Sequence, residues 1–304
     1  MEIDNLREDM IYAAFAAESA SLASHWIYDR SEIAKHHPRG ISGLSMPLSH
    51  YHEGKTAGDL THYGDQTLVL LESLTQRKSW SAKAWLEDWF DFWNHDPVSY
   101  RDGATSGTFT NLNNGNPGPS SSDDISAVSR MAPLLFFLKE KSLEDQIVAV
   151  REMVETTHGD SIVGDAAEFF VRSIVAVEEG KDFTAAFDWA SSSGDYHSEL
   201  LDGYQAATQT LNEDFENSES SFGQSCHTPD AFPLVVYLSL KYEDNPVQIL
   251  EHNAMVGGDT VARAAILAIL IAAQGKYPRL PAEWTDELRA KGRIDRALDS
   301  MEAN

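Results

Sequence analysis

Residues 253–275 read Asn-Ala-Met-Val-Gly-Gly-Asp-Thr-Val-Ala-Arg-Ala-Ala-Ile-Leu-Ala-Ile-Leu-Ile-Ala-Ala-Gln-Gly, and this stretch decides the fold. A two-glycine turn opens directly into an apolar helix. Gly257 and Gly258 permit positive φ angles and a tight approach of the backbone. Asp259 can cap the helix that follows and hold a carboxylate beside the positive end of its dipole. A carboxylate fixed there suits an ion, a phosphate neighbour or a ribose hydroxyl, so we expect the functional site at this turn.

The rest of the chain has a helical pattern. Apolar residues recur at three- and four-residue intervals through most segments, without convincing runs of alternating Val, Ile and Thr. The chain is therefore predicted to be all-α, a compact multi-helix bundle in which residues 1–304 form a single domain. Helices are predicted at residues 5–24, 62–77, 81–94, 101–112, 124–139, 143–157, 160–179, 183–192, 197–212, 229–241, 246–255 and 259–275. Loops are predicted at residues 29–60, 113–122 and 212–228.

The composition argues against several partners. The 304 residues carry a net charge of −25, whereas nucleic-acid binding needs Lys and Arg to neutralise phosphates, so no nucleic acid partner is expected. The longest apolar run, residues 264–273, is shorter than the roughly 18 residues of a bilayer-spanning helix, so no membrane partner is expected. The acidic N-terminus lacks the basic region of a signal peptide, and a cytoplasmic location is expected. The single cysteine, Cys226, is interpreted as a small packed residue.

A second informative segment spans residues 51–72, where a polar loop runs into an amphipathic helix. Asp65 lies on the first turn of that helix. Glu53 and Asp59 lie on the loop before it, and either is a candidate general base. We expect Asp65 and Asp259, from distant stretches of the chain, to meet at the mouth of the helical bundle.

Both segments resemble motifs of the ADP-ribosylglycohydrolase family. The closing motif of that family reads Gly-Gly-Asp-Thr-Asp-Thr, and its two Asp and second Thr are metal ligands. Asp259 and Thr260 match the first Asp and the first Thr, whereas Val261 and Ala262 stand in place of the other two ligands.

An earlier family motif, Thr-Asp-Asp-Thr, supplies three further metal ligands. It corresponds to Gly64, Asp65, Gln66 and Thr67, so one carboxylate remains and the other is replaced by a neutral amide. Residues 124–134 resemble the middle motif of the family, and residues 157–158 resemble a Thr-His pair that opens a later helix. The resemblance extends over roughly residues 8–288. Residues 25–29, 61–67 and 223–229 resemble the branch of the family that contains selenoprotein J and the jellyfish lens J-crystallins.

The resemblance implies a hydrolase that cleaves a glycosidic bond at the ribose of an ADP-ribosylated substrate. The resemblance also implies a site for two Mg²⁺ ions, each of which needs a near-octahedral shell of oxygen atoms. Asp65 and Asp259, helped by Gln66, offer too few for two ions, so we expect one Mg²⁺ at most, weakly held or absent. Arg263 follows Asp259 by one helical turn, and our hypothesis is that its guanidinium replaces a lost cation between Asp259 and Asp65.

The implied site thus contains catalytic and substrate-binding residues. The catalytic candidates are Asp65, Asp259, Glu53 and Asp59, and the substrate-binding candidates are Gly257, Gly258, Thr260, Arg263, Gln66, Thr67 and His158. The expected partner is a small molecule or an ADP-ribosylated substrate. An alternative stays open, a catalytically inactive, crystallin-like or nucleotide-binding protein on the same fold, because fold alone does not guarantee chemistry.

Overall fold

The computed structural model describes residues 3–95, 97–213 and 221–302. Within these ranges the chain is helical, with three isolated β-bridges and no strand. The α-helices are α1 (Ile3–Ser21), α2 (Arg30–His36), α3 (His62–Arg77), α4 (Ala82–Asn94), α5 (Gly103–Asn113), α6 (Met131–Phe137), α7 (Leu143–Glu155), α8 (Ser161–Glu178), α9 (Phe183–Ser193), α10 (Ser198–Gln209), α11 (Thr228–Lys241), α12 (Pro246–Val256), α13 (Thr260–Ala273), α14 (Ala282–Asp286) and α15 (Lys291–Glu302). The all-α prediction is confirmed.

Helix α13 is at the centre of the core. All of its residues are buried, as expected of a helix that is apolar on every side. Helices α1 and α13 pack against each other more extensively than any other pair of described helices. The buried face of α1 is rich in alanine, including Ala13, Ala17 and Ala20, and small side chains allow two helix backbones to approach closely.

The remaining helices pack mainly on their neighbours in sequence. Helix α3 packs on α4, α7 on α8, α8 on α9, and α10 on α11. On α4, Trp85, Trp89 and Trp93 are almost completely buried, so the tryptophans at helical spacing form core. The C-terminal segment returns to the bundle, with Trp284 and Leu288 buried. None of the described helices is long and apolar enough to cross a bilayer.

Side-chain caps begin several helices where the sequence signals them. The Ser142 hydroxyl accepts from the Asp145 N–H at 3.2 Å, and the Ser81 hydroxyl accepts from the Ala84 N–H at 3.4 Å. The helix predicted at residues 124–139 is divided into a 3₁₀ helix, Ile125–Arg130, and α6. Pro133 explains the division, since it has no N–H to bond the carbonyl four residues earlier and so must lie in the first turn of an α-helix.

Three α-helices occur where the sequence predicted none, namely α2, α14 and α15. Helix α2 lies in the segment predicted to be a loop, and only its Ile33 is buried, so it lacks an apolar stripe. Helix α15 buries Ile294, Ala297 and Leu298 among charged residues. Of the loop predicted at residues 212–228, residues 214–220 lie outside the described part of the chain.

Candidate functional site

The two-glycine turn is held by a neighbouring loop through backbone hydrogen bonds. The Gly258 N–H donates to the Ile27 carbonyl at 2.8 Å, and the Trp26 N–H donates to the Gly258 carbonyl at 2.7 Å. Gly257 and Gly258 have φ angles of 80° and 67°. A Cβ atom on Gly258 would lie 2.0 Å from the carbonyl oxygen of Gln224. Glycine is therefore required here by conformation and by the close approach of a second loop.

That second loop joins the turn to the start of the 3₁₀ helix. The Asp259 N–H donates to the Gln224 carbonyl at 2.9 Å, and the Ile125 N–H donates to the Cys226 carbonyl at 2.9 Å. These bonds bring Asp124, Cys226 and Asp259 together, and one potential ligand atom of each lies within 4.8 Å of the others. Three segments that are distant in sequence thus form one acidic cluster.

A cavity of about 960 Å³ opens beside this cluster. Its walls are aromatic, acidic and hydroxyl-bearing, and they include Trp26, Tyr28, Tyr51, Tyr63, Tyr100, Asp102, Ser120, Ser121, Ser122, Asp123, Asp124, Cys226 and His227. Among the residues that the structure describes, no lysine or arginine lines it. The volume is that of a typical small-molecule site.

The aromatic wall of the cavity centres on Trp26. Its ring centroid lies 5.1 Å from that of Tyr51 and 5.1 Å from that of Tyr100. Trp26 has a φ of 58°, which is a genuine outlier for a bulky residue, and such strain concentrates at functional sites. Tyr28, Tyr51 and Tyr100 are among the most exposed large hydrophobic side chains of the described residues. This wall can stack a planar group of a ligand.

Histidines lie behind the aromatic wall. The ring centroid of His25 is 5.1 Å from that of His52 and 6.1 Å from that of His62. Burial lowers the pKa of His25 well below its ordinary value and that of His52 to about 3, so both rings are neutral. His62 Nε2 lies 3.2 Å from an oxygen of Asp102. Burial would raise the pKa of Asp102, but this contact lowers it below its usual range.

The carboxyl groups of the cluster are buried and interact. Tyr63 donates its hydroxyl hydrogen to Asp259 Oδ2 at 2.8 Å, while Oδ1 accepts no hydrogen bond from the described residues. Burial raises the pKa of Asp259, although the charge of Arg263 and the Tyr63 hydroxyl lower it in part. Burial, followed by the charge of Asp259, raises the pKa of Asp124 to about 8. Burial and both carboxylates raise the pKa of the Cys226 thiol.

Asp65 is not a member of this cluster and is paired with a lysine. Lys55 Nζ is 2.5 Å from Asp65 Oδ2, and both side chains are largely buried. Burial raises the pKa of Asp65, and the Lys55 ammonium opposes this rise. Asp65 is absent from the group of potential metal ligands that the described residues form. The cation beside Asp65 is therefore a lysine ammonium.

Glu18 of α1 occupies the N-terminus of α3. One of its oxygens accepts hydrogen bonds from the Thr61 N–H at 2.7 Å, the Thr61 hydroxyl at 2.5 Å and the Gly64 N–H at 3.1 Å. A Cβ atom on Gly64 would lie 2.8 Å from the Glu18 carboxyl group, so a side chain at position 64 would clash with Glu18 in this position. Burial raises the pKa of Glu18 to about 7, despite the hydrogen bonds from Thr61.

Three expected substrate-binding residues have internal partners. Gln66 donates to the His62 carbonyl at 2.9 Å and accepts from the Trp89 indole at 2.6 Å, and Thr67 donates to the Tyr63 carbonyl at 3.0 Å. His158 contacts the hydroxyl of the preceding threonine at 2.9 Å, and burial lowers its pKa to about 3. None of these three residues lines the large cavity.

The two loop acids expected as general bases also lie elsewhere. Glu53 is exposed and lines a separate depression of about 370 Å³. Asp59 accepts from the Thr56 N–H at 2.7 Å and hydroxyl at 2.9 Å, and lies 3.8 Å from Arg289. Asp59 therefore stabilises the loop and its contact with the C-terminal segment.

Arg263 supports the glycine turn. It is fully buried, its Nε donates to Asn253 Oδ1 at 2.9 Å and its Nη2 donates to the Gly257 carbonyl at 2.6 Å. Asn253 in turn donates to the Thr260 carbonyl at 2.8 Å. No ion pair joins Arg263 to Asp65 or Asp259 in the described part of the chain, so the structure does not support the expected bridge between these acids. The guanidinium satisfies the backbone of the turn, while Lys55 contacts Asp65.

Three residues of the site, Asp124, Cys226 and Tyr63, were not predicted from the sequence. Asp124 reads locally as a helix cap, which it is, because its Oδ1 accepts from the Ser126 N–H at 2.8 Å. A usable signal was the position of Asp124 within the middle family motif. Cys226 and Tyr63 gave no local signal, because tertiary packing alone places them beside Asp259.

A pair of Mg²⁺ ions does not fit these residues. Lys55 already neutralises Asp65, and Gly64 offers no side chain. The remaining group, Asp124, Cys226 and Asp259, includes a sulfur, whereas Mg²⁺ selects oxygen. The family's two-ion arrangement is therefore not formed by the described residues.

Comparisons with known proteins agree with the helical architecture. A solved structure titled "ADP-ribosylglycohydrolase-related protein complex" is similar over 99% of this chain and 98% of that chain, with a TM-score of 0.72 and 16% sequence identity. At this identity the likeness shows a shared fold. No curated protein matches the sequence. The sequence profile of the ADP-ribosylglycohydrolases matches residues 7–303, nearly the whole chain. The protein belongs to the ADP-ribosylglycohydrolase family.

Proposed function

We propose that the protein hydrolyses a glycosidic bond at the ribose of an ADP-ribosylated substrate. The observation that carries this proposal is the interacting pair of buried carboxyl groups, with Asp124 on the cavity wall and Asp259 beside it. Family membership supports the glycohydrolase class of reaction. In this proposal the substrate binds in the cavity, with its anomeric carbon next to Asp124.

The carboxyl pair has the properties that glycoside hydrolysis requires. The reaction needs a proton for the leaving group and negative charge near an oxocarbenium-like transition state. Two close carboxyl groups share a proton, because ionising one raises the pKa of the other, and burial raises both pKa values here. Asp124 lines the cavity and is the proton donor, and Asp259, which accepts from Tyr63, carries the charge.

The proposed steps conserve protons and electrons. The glycosidic bond breaks, its electron pair leaves with the leaving atom, and Asp124 protonates that atom. Water then attacks the anomeric carbon and gives a proton to the Asp124 carboxylate. Asp124 is thereby protonated again, as it was before the reaction.

The cavity wall supports the choice of a nucleotide-like substrate. Trp26, Tyr51 and Tyr100 present ring surfaces on which a base can stack. Ser121 and Ser122 line the same cavity and offer polar groups for ribose or phosphate oxygens. Replacing Tyr51 or Tyr100 by leucine should weaken ADP-ribose binding by about 1–3 kcal/mol if each ring stacks on the base.

A turnover assay tests the reaction. The substrate is an ADP-ribosylated peptide, and released ADP-ribose is measured. Asp124→Asn should reduce turnover about 10²–10⁴-fold, because the variant has no proton to donate. Asp91→Asn, at an exposed position on α4, is the matched control and should retain full turnover. Wild-type turnover by Asp124→Asn would exclude Asp124 from the mechanism.

Binding without turnover, as in a crystallin-like or nucleotide-binding member of the family, is the second candidate. The contact between Lys55 and Asp65 favours it, since an acid of the usual metal site is neutralised. Calorimetric titration with ADP-ribose separates the two functions. Saturable binding, together with no ADP-ribose release from the peptide by the wild-type protein, would support this second candidate.

A further inference from the structure

The geometry points to a mononuclear metal site formed by Asp124, Cys226 and Asp259 that takes a borderline-soft divalent cation of the Zn²⁺ or Co²⁺ class. One ligand atom of each residue lies within 4.8 Å of the other two. A tetrahedral ion with bonds of about 2.0–2.3 Å holds its oxygen and sulfur ligands roughly 3.3–3.7 Å apart. The three groups therefore need to approach one another by about 1.5 Å at most to bind.

An unpartnered carboxylate oxygen is the second observation that indicates an ion. Asp259 is 1% exposed, and its Oδ1 accepts no hydrogen bond of normal geometry from the described residues, although the Ala262 N–H lies near the carboxyl group. Buried polar atoms without partners are rare in native proteins and call for an explanation such as an ion. The nearest ring nitrogen, His25 Nδ1, is 3.9 Å from this oxygen, too far for a hydrogen bond. A cation between Asp259, Asp124 and Cys226 would satisfy it.

The surroundings orient each carboxylate for this role. Tyr63 donates to Asp259 Oδ2 at 2.8 Å, and the Ser126 N–H donates to Asp124 Oδ1 at 2.8 Å. Each carboxylate thus has one oxygen held by the protein, as is usual around bound metals. A hydrogen bond also links the Cys226 thiol to the Asp124 carboxyl group, and an ion bound by both would replace the proton of that thiol. Backbone hydrogen bonds of Cys226 and Asp259 hold together the segments that carry the three ligands.

The sulfur determines the class of ion. Thiolate ligands select Zn²⁺ and other thiophilic ions, whereas Mg²⁺ prefers oxygen alone. Three protein ligands leave a fourth tetrahedral position open, as in catalytic zinc sites. Asp124 and Cys226 line the large cavity, so the open position faces the place where a ligand would bind. This site differs from the family's magnesium pair in its ion and in two of its three ligands.

Cobalt spectroscopy tests the site without relying on activity. The protein is first dialysed against a chelator and then titrated with Co²⁺. We expect one equivalent to bind, with visible bands of tetrahedral cobalt and a sulfur-to-cobalt charge-transfer band in the near ultraviolet. Cys226 is the only cysteine in the sequence, so a sulfur-to-cobalt band of this kind identifies its source directly. Zn²⁺ should displace the cobalt, and excess Mg²⁺ should not.

Variants make the assignment sharper. Cys226→Ser should abolish the charge-transfer band. Asp259→Asn should weaken Co²⁺ binding at least as strongly as Tyr63→Phe does, because it changes a ligand itself. Tyr63→Phe should keep the band and lower the affinity about 10–100-fold, because it removes an interaction that orients a ligand. Asp123→Asn, whose carboxylate contacts His227 at 2.6 Å, is the matched control and should bind cobalt as the wild type does.

The outcomes are decisive in either direction. A wild-type protein that shows no charge-transfer band, or whose band persists in Cys226→Ser, would overturn the site, and so would displacement of cobalt by equimolar Mg²⁺. The wild-type spectrum alone decides if a variant fails to fold. A metal ligand must be deprotonated, so Asp124 cannot bind an ion and act as the proton donor of the proposed hydrolysis at the same time. The spectroscopic readout therefore tests the metal site independently of glycosidic hydrolysis.

Discussion

Replacement of Gly258 by alanine tests whether the turn is held as the structure indicates. Gly258 has a φ of 67°, where an alanine costs about 1–2 kcal/mol because its Cβ is crowded by the following carbonyl. The new Cβ would also lie 2.0 Å from the Gln224 carbonyl oxygen, which accepts the Asp259 N–H at 2.9 Å. Displacing that carbonyl strains or breaks a buried hydrogen bond, worth about 1–3 kcal/mol. We expect a total loss of about 2–5 kcal/mol in the free energy of unfolding.

Gly115 supplies the matched control. Its φ is 69°, nearly that of Gly258, and a Cβ there would meet nothing within 4 Å. Gly115→Ala should therefore lose only the conformational part, about 1–2 kcal/mol. Urea unfolding, followed by tryptophan fluorescence, measures both variants. Equal losses in Gly258→Ala and Gly115→Ala would show that the approach of Gln224 contributes nothing and would refute the reasoning.

Three further predictions concern titratable groups. Because burial raises the pKa of Glu18 from 4.5 to about 7, the folded state keeps this proton longer than the unfolded chain, and stability falls by up to about 3 kcal/mol as pH rises through this window. Glu18→Gln should lack that part of the pH slope in urea unfolding, and an unchanged slope would contradict it. Lys55→Gln should lose about 2 kcal/mol at neutral pH, with a smaller loss below the pKa of Asp65, whereas the exposed Lys83→Gln should lose almost nothing. Alkylation of Cys226 by iodoacetamide at neutral pH, followed by mass spectrometry, should be slower in the folded than in the unfolded protein, since burial raises its pKa and keeps it a thiol; equal rates would rule this out.

The helical fold could be predicted because its signals are local. Helix α3 begins at His62 and ends at Arg77, as predicted, since an amphipathic pattern follows a capping Thr61. Helix α13 was predicted within two residues at each end from its apolar run after the glycines. Helices α2 and α15 were missed because polar and charged residues together fill most of their positions, and a small buried face gives a weak period. Helix α14 was missed because it has only five residues.

The candidate site was predictable only in part. Asp259 was found because glycines that need positive φ mark a special turn in the sequence itself. The pairing of Lys55 with Asp65 could not be foreseen, since a loop lysine has many acids within reach and tertiary structure chooses one. Asp124 and Cys226 approach Asp259 through hydrogen bonds between loops, and such contacts have no periodic pattern in the sequence.

The acidic cluster has a consequence for how the protein is made. Its three members come from the start of the 3₁₀ helix, from the loop before α11 and from the turn before α13, so the last of them, Asp259, leaves the ribosome only after residues 1–258 have done so. Until α13 emerges, the growing polypeptide also lacks the central helix around which α1 packs. A nascent chain that ends before α13 therefore lacks the central helix of the core and Asp259 of the acidic cluster. It cannot bind a ligand that needs this cluster.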